Sequence, residues 1–378
     1  MGFPSFSSKT WDFYPIHLRL LNRQVHMKCA DSFIWNCLNT VNFGLGHVYL
    51  VAHQINDPDH RYAFAASEAD EGVLVPDYYK QSCPHAEEIV REHVRSAVVR
   101  DPRMAASLLR LHFHDCFVMG CDGSVLLDNS GDILSEKDAG PNLNSLRGSE
   151  LVDKIKAMLE KECPETVSCA DILAIAARDA VNLRGGPSWK AELGRRDSLK
   201  ASQSGANQFI PKPNSSLDTL ISSFQAQGLS IIDLVTLSGS HTIGKSRCLS
   251  FKQRLYDEDK EHEVDHHQRT SDFRRVLRSI CPRSNRDDAL VPLDLITSAR
   301  FDNRYYINIL QGRGLLATDN ILVSHDQDGE IAKLVWAYAS DQQLFFREFA
   351  ASMLKMGSIN PLTGEQGEIR RNCRLLNS

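Results

Sequence analysis

The densest group of reactive side chains in this sequence is Arg110-Leu111-His112-Phe113-His114-Asp115-Cys116-Phe117. Arg110 and His114 stand four residues apart, which on a helix puts them one turn apart on the same face. A fixed positive guanidinium beside an imidazole that takes or gives a proton suits heterolysis of a polar bond. An Arg and a His in ordinary packing at a helix end would have the same spacing, so the pair alone does not decide. His112 and His114 point to roughly opposite sides of such a helix, which argues against a zinc site using both, although Asp115 and Cys116 follow. Immediately downstream, oxygens at Asp115, Asp122 and Ser124 surround a turn with Gly120 and Gly123. Carboxylate, hydroxyl and carbonyl oxygens of that kind wrap a hard cation, calcium rather than zinc. Cys116 and Cys121 form no CxxC pair and lack a second pair to complete four ligands, so a small disulfide loop is expected there. A further histidine, His241, follows an apolar run and sits among Ser238, Gly239, Ser240 and Gly244. Small neighbours would let a flat ligand approach the backbone; a buried structural histidine is the competing reading.

The elements that must carry these residues are helical. Ile89, Val90, His93, Val94, Ala97 and Val98 keep a period of 3.6, and Asp101-Pro102 ends that stripe because proline disfavours helical geometry in the residue before it. Leu151, Val152, Ile155, Met158 and Leu159 form a second stripe, stopped by Cys163-Pro164. Further helices are expected over 103–117, 169–183, 217–226, 231–239, 244–256, 272–280, 303–311 and 327–355, the last as two helices. Alternation with a period of two is nearly absent. The expectation is therefore an all-α fold with long loops at 119–148 and 184–216, and loops of that length are usually functional.

Composition narrows the function classes. In 378 residues, 43 Lys+Arg against 48 Asp+Glu give a net charge of −5, which argues against a nucleic-acid partner. With 42% hydrophobic and 24% charged residues the chain is of globular composition, and no run approaches the roughly 20 apolar residues of a membrane span. Ten cysteines leave an oxidised exported enzyme and a metal-binding protein both open. Residues 1–72 read differently, with scattered aromatics, Cys29 and Cys37, and no sustained periodicity. Their longest apolar stretch, Val48 to Ala52, is short for a secretory signal; a weaker one would start at Met27-Lys28 and end near Ala63-Phe64-Ala65-Ala66.

Several motifs occur together in order: Arg110 to Val118 with Gly120-Cys-Asp-Gly-Ser124, Glu136-Lys-Asp-Ala-Gly-Pro-Asn142, Cys163-Pro with Ser168-Cys-Ala-Asp171, and Leu193-Gly-Arg-Arg-Asp197. Leu237-Ser-Gly-Ser-His-Thr-Ile-Gly244, Phe301-Asp-Asn with Tyr305-Tyr306, and Met356-Gly-Ser-Ile with Pro361-Leu-Thr-Gly364 follow. From Val73 to Ser378 the chain resembles the plant secretory (class III) haem peroxidases; residues 1–72 have no counterpart in that resemblance and read as an atypical leader or extension. The resemblance implies a distal and a proximal helical subdomain with one haem b between them, two calcium ions and four disulfides.

Roles follow by resemblance. His241 would be the axial ligand of the haem iron, with Asp319 accepting from its other ring nitrogen. His114 would be the acid and base toward hydrogen peroxide, and Arg110 would stabilise charge as the O–O bond breaks. Asn142, supported by Glu136, would fix the His114 tautomer, Phe113 would screen the centre, and Pro211 would stand at the mouth where phenolic donors give single electrons. One calcium site would use Asp115, Val118, Gly120, Asp122 and Ser124, the Val118 and Gly120 ligands being carbonyls. The other would use Thr242, Asp294, Thr297, Arg300 and Asp302, with Arg300 contributing its backbone carbonyl. The implied disulfides are Cys83–Cys163, Cys116–Cys121, Cys169–Cys373 and Cys248–Cys281, a connectivity that spacing does not dictate. Asp171 and Arg195 match a buried ion pair. A secreted monomer of the cell wall, apoplast or vacuole is implied.

Some positions depart from the pattern. Met119 stands where a polar residue is usual, Ser149 where an aromatic is usual, and residues 257–267 are unusually charged; weak metal binding by His262, His266 and His267 competes there with a solvated loop. Asn214-Ser215-Ser216 is a glycosylation sequon beside the mouth, and Gly140 and Asn214 leave that mouth without aromatics, so donor preference stays open. Two other classes compete: a haem-free, calcium-stabilised binding protein, and a zinc hydrolase built on 112–116. The complete set of Arg110, His114, Asn142, His241 and Asp319 argues against the first.

Overall fold

The computed structural model describes residues 13–20, 23–30, 73–256, 268–324 and 329–378. The chain divides into two units, Met1–Ala69 and Asp70–Ser378. In the first, strands β1 (Phe13–Leu20) and β2 (Arg23–Ala30) pair antiparallel, Phe13 opposite Ala30 and Leu20 opposite Arg23. This corrects the expectation of no periodicity. Ile16, Leu18 and Leu20 alternate with His17 and Arg19, and Val25, Met27 and Cys29 alternate with Gln24, His26 and Lys28. That is strand patterning, and two residues suffice to connect a hairpin. The expected leader cut near Ala63-Ala66 and the histidines of 257–267 lie outside the described residues.

Among the described residues the second unit is built from twelve α-helices. The first group comprises α1 (Ala86–Arg100), α2 (Arg103–Cys116), α3 (Ser149–Glu162) and α4 (Cys169–Leu183). Helix α4 is its centre: residues 169–181 are all buried, and it packs against α1, α2 and α3. Such a helix can carry charge only if the charge is paired. Asp171 Oδ1 accordingly accepts from Arg195 Nη1 at 2.7 Å and its Oδ2 accepts from Tyr79 Oη at 2.7 Å, so the expected ion pair is present.

After the short helix α5 (Gln203–Phe209), the second group contains α6 (Leu217–Ala226) and α7 (Ile231–Ser238). Beyond α8 (Gln268–Ile280) it continues with α9 (Arg304–Leu310), α10 (Ala317–Ser324), α11 (Glu330–Ser340) and α12 (Gln342–Gly357). Asp341 breaks the 327–355 stretch into two helices as expected. Its side chain accepts from Gln343 N and Leu344 N, capping the start of α12. Helix α12 packs against both α7 and α2 and so joins the two groups.

One expected helix is absent, and one helix forms inside the expected loop 184–216, both for tertiary reasons. Over 244–256 there is no α-helix: β3 (Lys245–Arg247) pairs with β4 (Leu290–Pro292), then tight turns follow at Cys248–Ser250 and Lys252–Leu255. Cys248 N and Leu249 N donate to Ala289 O and Asp287 O, so distant partners replace the helical ones. Helix α5 was hidden because Gln203, Ser204, Asn207 and Gln208 give it no apolar stripe. It is started by Ser202, whose side chain accepts from Gly205 N, and Ala206 and Ile210 bury against Val118 and Ala139. Met119 packs against the same cluster, which accounts for an apolar residue at that position.

Candidate active site

The last turn of α2 presents Arg110 and His114 on one face, and the loop after it locks both. Arg110 Nε donates to His114 Nε2 at 3.1 Å. The rest of the guanidinium is held by loop oxygens: Nη1 donates to Ser145 O at 3.0 Å, and Nη2 to Pro141 O at 2.8 Å and Ser145 Oγ at 3.0 Å. His114 Nδ1 lies 2.5 Å from Asn142 Oδ1, and Asn142 Nδ2 donates to Glu136 O at 2.8 Å. Since an amide oxygen only accepts, Nδ1 carries the proton and Nε2 keeps its lone pair. Burial, reinforced by the Arg110 charge, holds the His114 imidazole well below its ordinary pKa, so it is a neutral base. Burial, with Arg247 and Arg103 nearby, lowers Arg110 to about 10, which leaves it charged at neutral pH. Phe113 is half-buried against His114 and Phe117.

His241 comes from the short turn Gly239–Thr242 that follows α7. That helix is anchored at its start by a capping box between Ser230 and Asp233, and Asp233 also accepts from Ser352 and Lys355 of α12. His241 Nδ1 donates to Asp319 Oδ1 at 2.8 Å, leaving Nε2 free; the imidazole is 35% exposed while Asp319 is buried. Asp319 accepts also from Leu316 N at 2.8 Å and Tyr305 Oη at 3.2 Å. The small residue at Gly239 has another cause than the expected one. A Cβ there would come 2.4 Å from Tyr306 Oη and 2.7 Å from the Phe345 ring, so protein and not ligand occupies that space.

Two oxygen clusters flank these histidines. In the first, Asp115 Oδ2 accepts from Gly123 N at 3.0 Å and Asp122 Oδ1 from Ser124 N at 3.0 Å, while Ser124 Oγ and Glu136 Oε2 are buried without a partner. Burial and mutual repulsion raise Asp115 well above its ordinary range; burial raises Asp122, and burial with Asp122 pushes Glu136 up to about 7. Buried carboxylates beside an orphaned hydroxyl fit a hard cation. Gly120 has φ +126° and a Cβ there would come 2.3 Å from Asn360 O, so a side chain does not fit in this turn. In the second cluster, Thr297 Oγ1 bonds Asp294 Oδ2 at 3.2 Å and Asp302 Oδ1 at 3.1 Å, and Thr242 Oγ1 bonds Asp302 Oδ1 at 3.3 Å. Arg300 points its guanidinium outward, with Nε 3.9 Å from Asp302 Oδ2. All four implied disulfides are formed. His112, Cys116 and Cys121 also lie together, but both sulfurs are in one disulfide, so this is no zinc site.

The family model described as Peroxidase matches residues 90–341. Peroxidase 20 of Arabidopsis thaliana is 64% identical over 306 residues, covering 80% of this chain and 91% of that protein. Peroxidase 15 and Peroxidase 72 of the same plant are each 55% identical, covering 82% and 81% of this chain and 90% of each relative. The chain belongs to the peroxidase family. It is a haem peroxidase enzyme of the plant class III type, acting on hydrogen peroxide and an electron donor.

A haem fits this peroxidase on its own geometry: an imidazole with Nδ1 tied to a buried carboxylate presents a free Nε2 at a partly open position. Strand β3 after His241 brings the Arg247 guanidinium to Leu143 O, beside the loop that holds Arg110, and a Cβ on Gly244 would meet Ala106 of α2. The histidine turn is thereby set against α2 and the loop after it. Ser145 and the Pro141 carbonyl, which clamp Arg110, were not assigned in the sequence, nor was Tyr305 behind Asp319; Pro141-Asn142 within the motif was the available signal. At the expected mouth Pro211 is half-buried, Asn214 is exposed, and Gly140 N donates to Asn207 Oδ1 of α5. Among the described residues no single helix is long and apolar enough to cross a membrane.

Proposed function

We propose that residues 73–378 form the catalytic unit, with residues 1–72 as an extension, and that it binds one haem b through His241 and two calcium ions at the Asp115–Ser124 and Thr242–Asp302 clusters. The proposal further assigns small phenolic donors oxidised near Pro211, a monomer, and secretion to the cell wall or apoplast. The observation that carries the site assignment is the pair of oppositely equipped histidines: His114 with Arg110 at Nε2, and His241 with Asp319 at Nδ1. When bound, the haem supplies two electrons to the peroxide and takes them back from donors one at a time.

The protein's own part is proton handling and charge. His114 Nε2 takes the proton of one peroxide oxygen and returns it to the other, so that the O–O bond breaks with water as the leaving group. Arg110, fixed by Pro141 and Ser145, stabilises the negative charge that develops during that cleavage. Asn142 keeps the proton on Nδ1, and Phe113 keeps donors from reaching the His114 side of the site. Asp319 holds His241 in orientation and strengthens it as a ligand. Replacing His114 with leucine tests the reading: haem uptake and its visible absorption persist, and the peroxide step slows by roughly 10²–10⁴-fold. Near-native rates in stopped flow refute the role of His114, and no Soret band after reconstitution refutes the haem site.

A further inference from the structure

Asp319 uses its two carboxylate oxygens differently. Oδ2 accepts from the main chain, at Leu316 N, 2.8 Å away. Oδ1 accepts from His241 Nδ1 at 2.8 Å and also from Tyr305 Oη at 3.2 Å. This second donor is a buried phenol whose ring lies 6.1 Å from the His241 ring. The Ser238 hydroxyl also lies beside Tyr305 Oη and donates to Leu234 O at 2.7 Å. A buried tyrosine needs some partner for its hydroxyl, and packing alone asks no more than that. Tyr306, buried beside it with ring centres 5.1 Å apart, meets that need through the main chain: its Oη donates to Val235 O at 3.0 Å and Thr236 O at 3.2 Å. Tyr305 instead directs its hydrogen to the oxygen that orients His241.

We propose that Tyr305 is a positioning residue that sets how strongly Asp319 pulls on the His241 ring, and through that ring which donors the enzyme oxidises. An oxygen shared between two donors is a weaker acceptor for each than it is for one alone. The electron density drawn toward the phenolic hydrogen is withheld from His241 Nδ1–H, so His241 Nε2 is less basic than the bond to Asp319 would otherwise make it. A less basic ligand stabilises the higher oxidation states of a bound iron less, which raises the reduction potential. The oxidised site is then a stronger one-electron oxidant, and phenols that are hard to oxidise come within its reach. At 3.2 Å the phenol is the weaker of the two donors, so the effect is modest. No proton changes owner: Tyr305 stays a phenol and Asp319 a carboxylate. The inference deepens the proposed haem site and rests on His241 being the iron ligand.

The test uses the full-length holoenzyme and reads the iron potential by spectroelectrochemistry and the iron–histidine stretch by resonance Raman of the reduced protein. In Tyr305→Phe the ring stays and the hydroxyl goes. The potential is expected to fall by about 30 mV, about a threefold shift toward the oxidised form, and the stretching band to move to higher frequency. Across a series of ring-substituted phenols, the rate with hard-to-oxidise donors should fall relative to the rate with easily oxidised ones. Tyr306→Phe, which loses a neighbouring buried hydroxyl, leaves potential and band at the parent values. Site-specific replacement of Tyr305 by a ring-fluorinated tyrosine, a stronger donor of nearly the same shape, should raise the potential, and it keeps the test open if Tyr305→Phe does not fold. A holoenzyme bound through His241 whose potential and band do not move in Tyr305→Phe or on fluorination, or move equally in Tyr306→Phe, overturns the tuning alone. A protein that binds no haem, or binds it equally well as His241→Ala, overturns the ligand assignment with it.

Discussion

Replacing Asn142 with valine removes the oxygen 2.5 Å from His114 Nδ1 and offers no acceptor in its place. The ring is buried, so bulk water does not take over the bond. A buried N–H without a partner costs about 1–3 kcal/mol, and that cost falls on the tautomer that leaves Nε2 free. The other tautomer is not comfortable either, since its Nε2–H would face the donating Arg110 Nε at 3.1 Å. With a bond unmet in either tautomer the native advantage is lost, and the native tautomer is expected to lie about 1.4 kcal/mol above the other, which leaves it in about a tenth of the molecules. The second-order rate with hydrogen peroxide is expected to fall about tenfold in stopped flow at pH 7. The later oxidation of the donor does not use His114 tautomerism and stays unchanged, which separates positioning from general damage. A valine variant with the native resting spectrum and a peroxide rate within about twofold of the parent would refute the reasoning.

Two further outcomes are expected. Chelation of calcium leaves Asp115, Asp122 and Glu136 buried together without a counter-charge; if each ion is present at about 100 times its Kd it contributes about 2.7 kcal/mol, so the melting temperature of a unit this long should drop by about 4 °C per site, and an unchanged melting curve counts against both sites. His112 is pushed down to about 3, first by burial and then by the Arg195 charge, with Glu192 lining the same small cavity. Below about pH 6.5 the unfolded chain gains a proton that the native state refuses, so stability is full above that pH and is lost as pH falls toward 3, by about 2 kcal/mol at pH 5. Urea unfolding of His112→Gln at pH 7.5 and 5 should lack that difference, and a pH dependence equal to the parent's excludes His112 as its source.

What was legible in the sequence follows the reach of each interaction. Helices α1, α3, α4 and α6 are set by stripes and stop signals a few residues apart, and they appear where the periodicity places them. Arg110 and His114 share a face for the same local reason. Helix α5, strand β3 and the role of Gly239 were not legible, because their partners are far along the chain: Val118 for α5, β4 for β3, Tyr306 and Phe345 for Gly239. The β1–β2 hairpin is a different case. Its alternation is local and present in the sequence, but the scattered aromatics around it mask the pattern.

The long loop at 119–148 carries the strongest link between structure and chemistry. Glu136 divides its two ends between two tasks: its backbone carbonyl holds Asn142, and its carboxyl group faces the oxygen cluster of Asp115, Asp122 and Ser124. The same loop supplies Pro141 and Ser145 to Arg110. A cation that neutralises those carboxylates therefore also fixes the segment on which the His114 tautomer and the Arg110 fork depend. Loss of that cation should reach the peroxide step before it reaches the fold: moderate chelation slows peroxide cleavage while helix content is still native. If the rate and the helical signal decline together, the loop is not the connection between the oxygen cluster and the proton-handling pair.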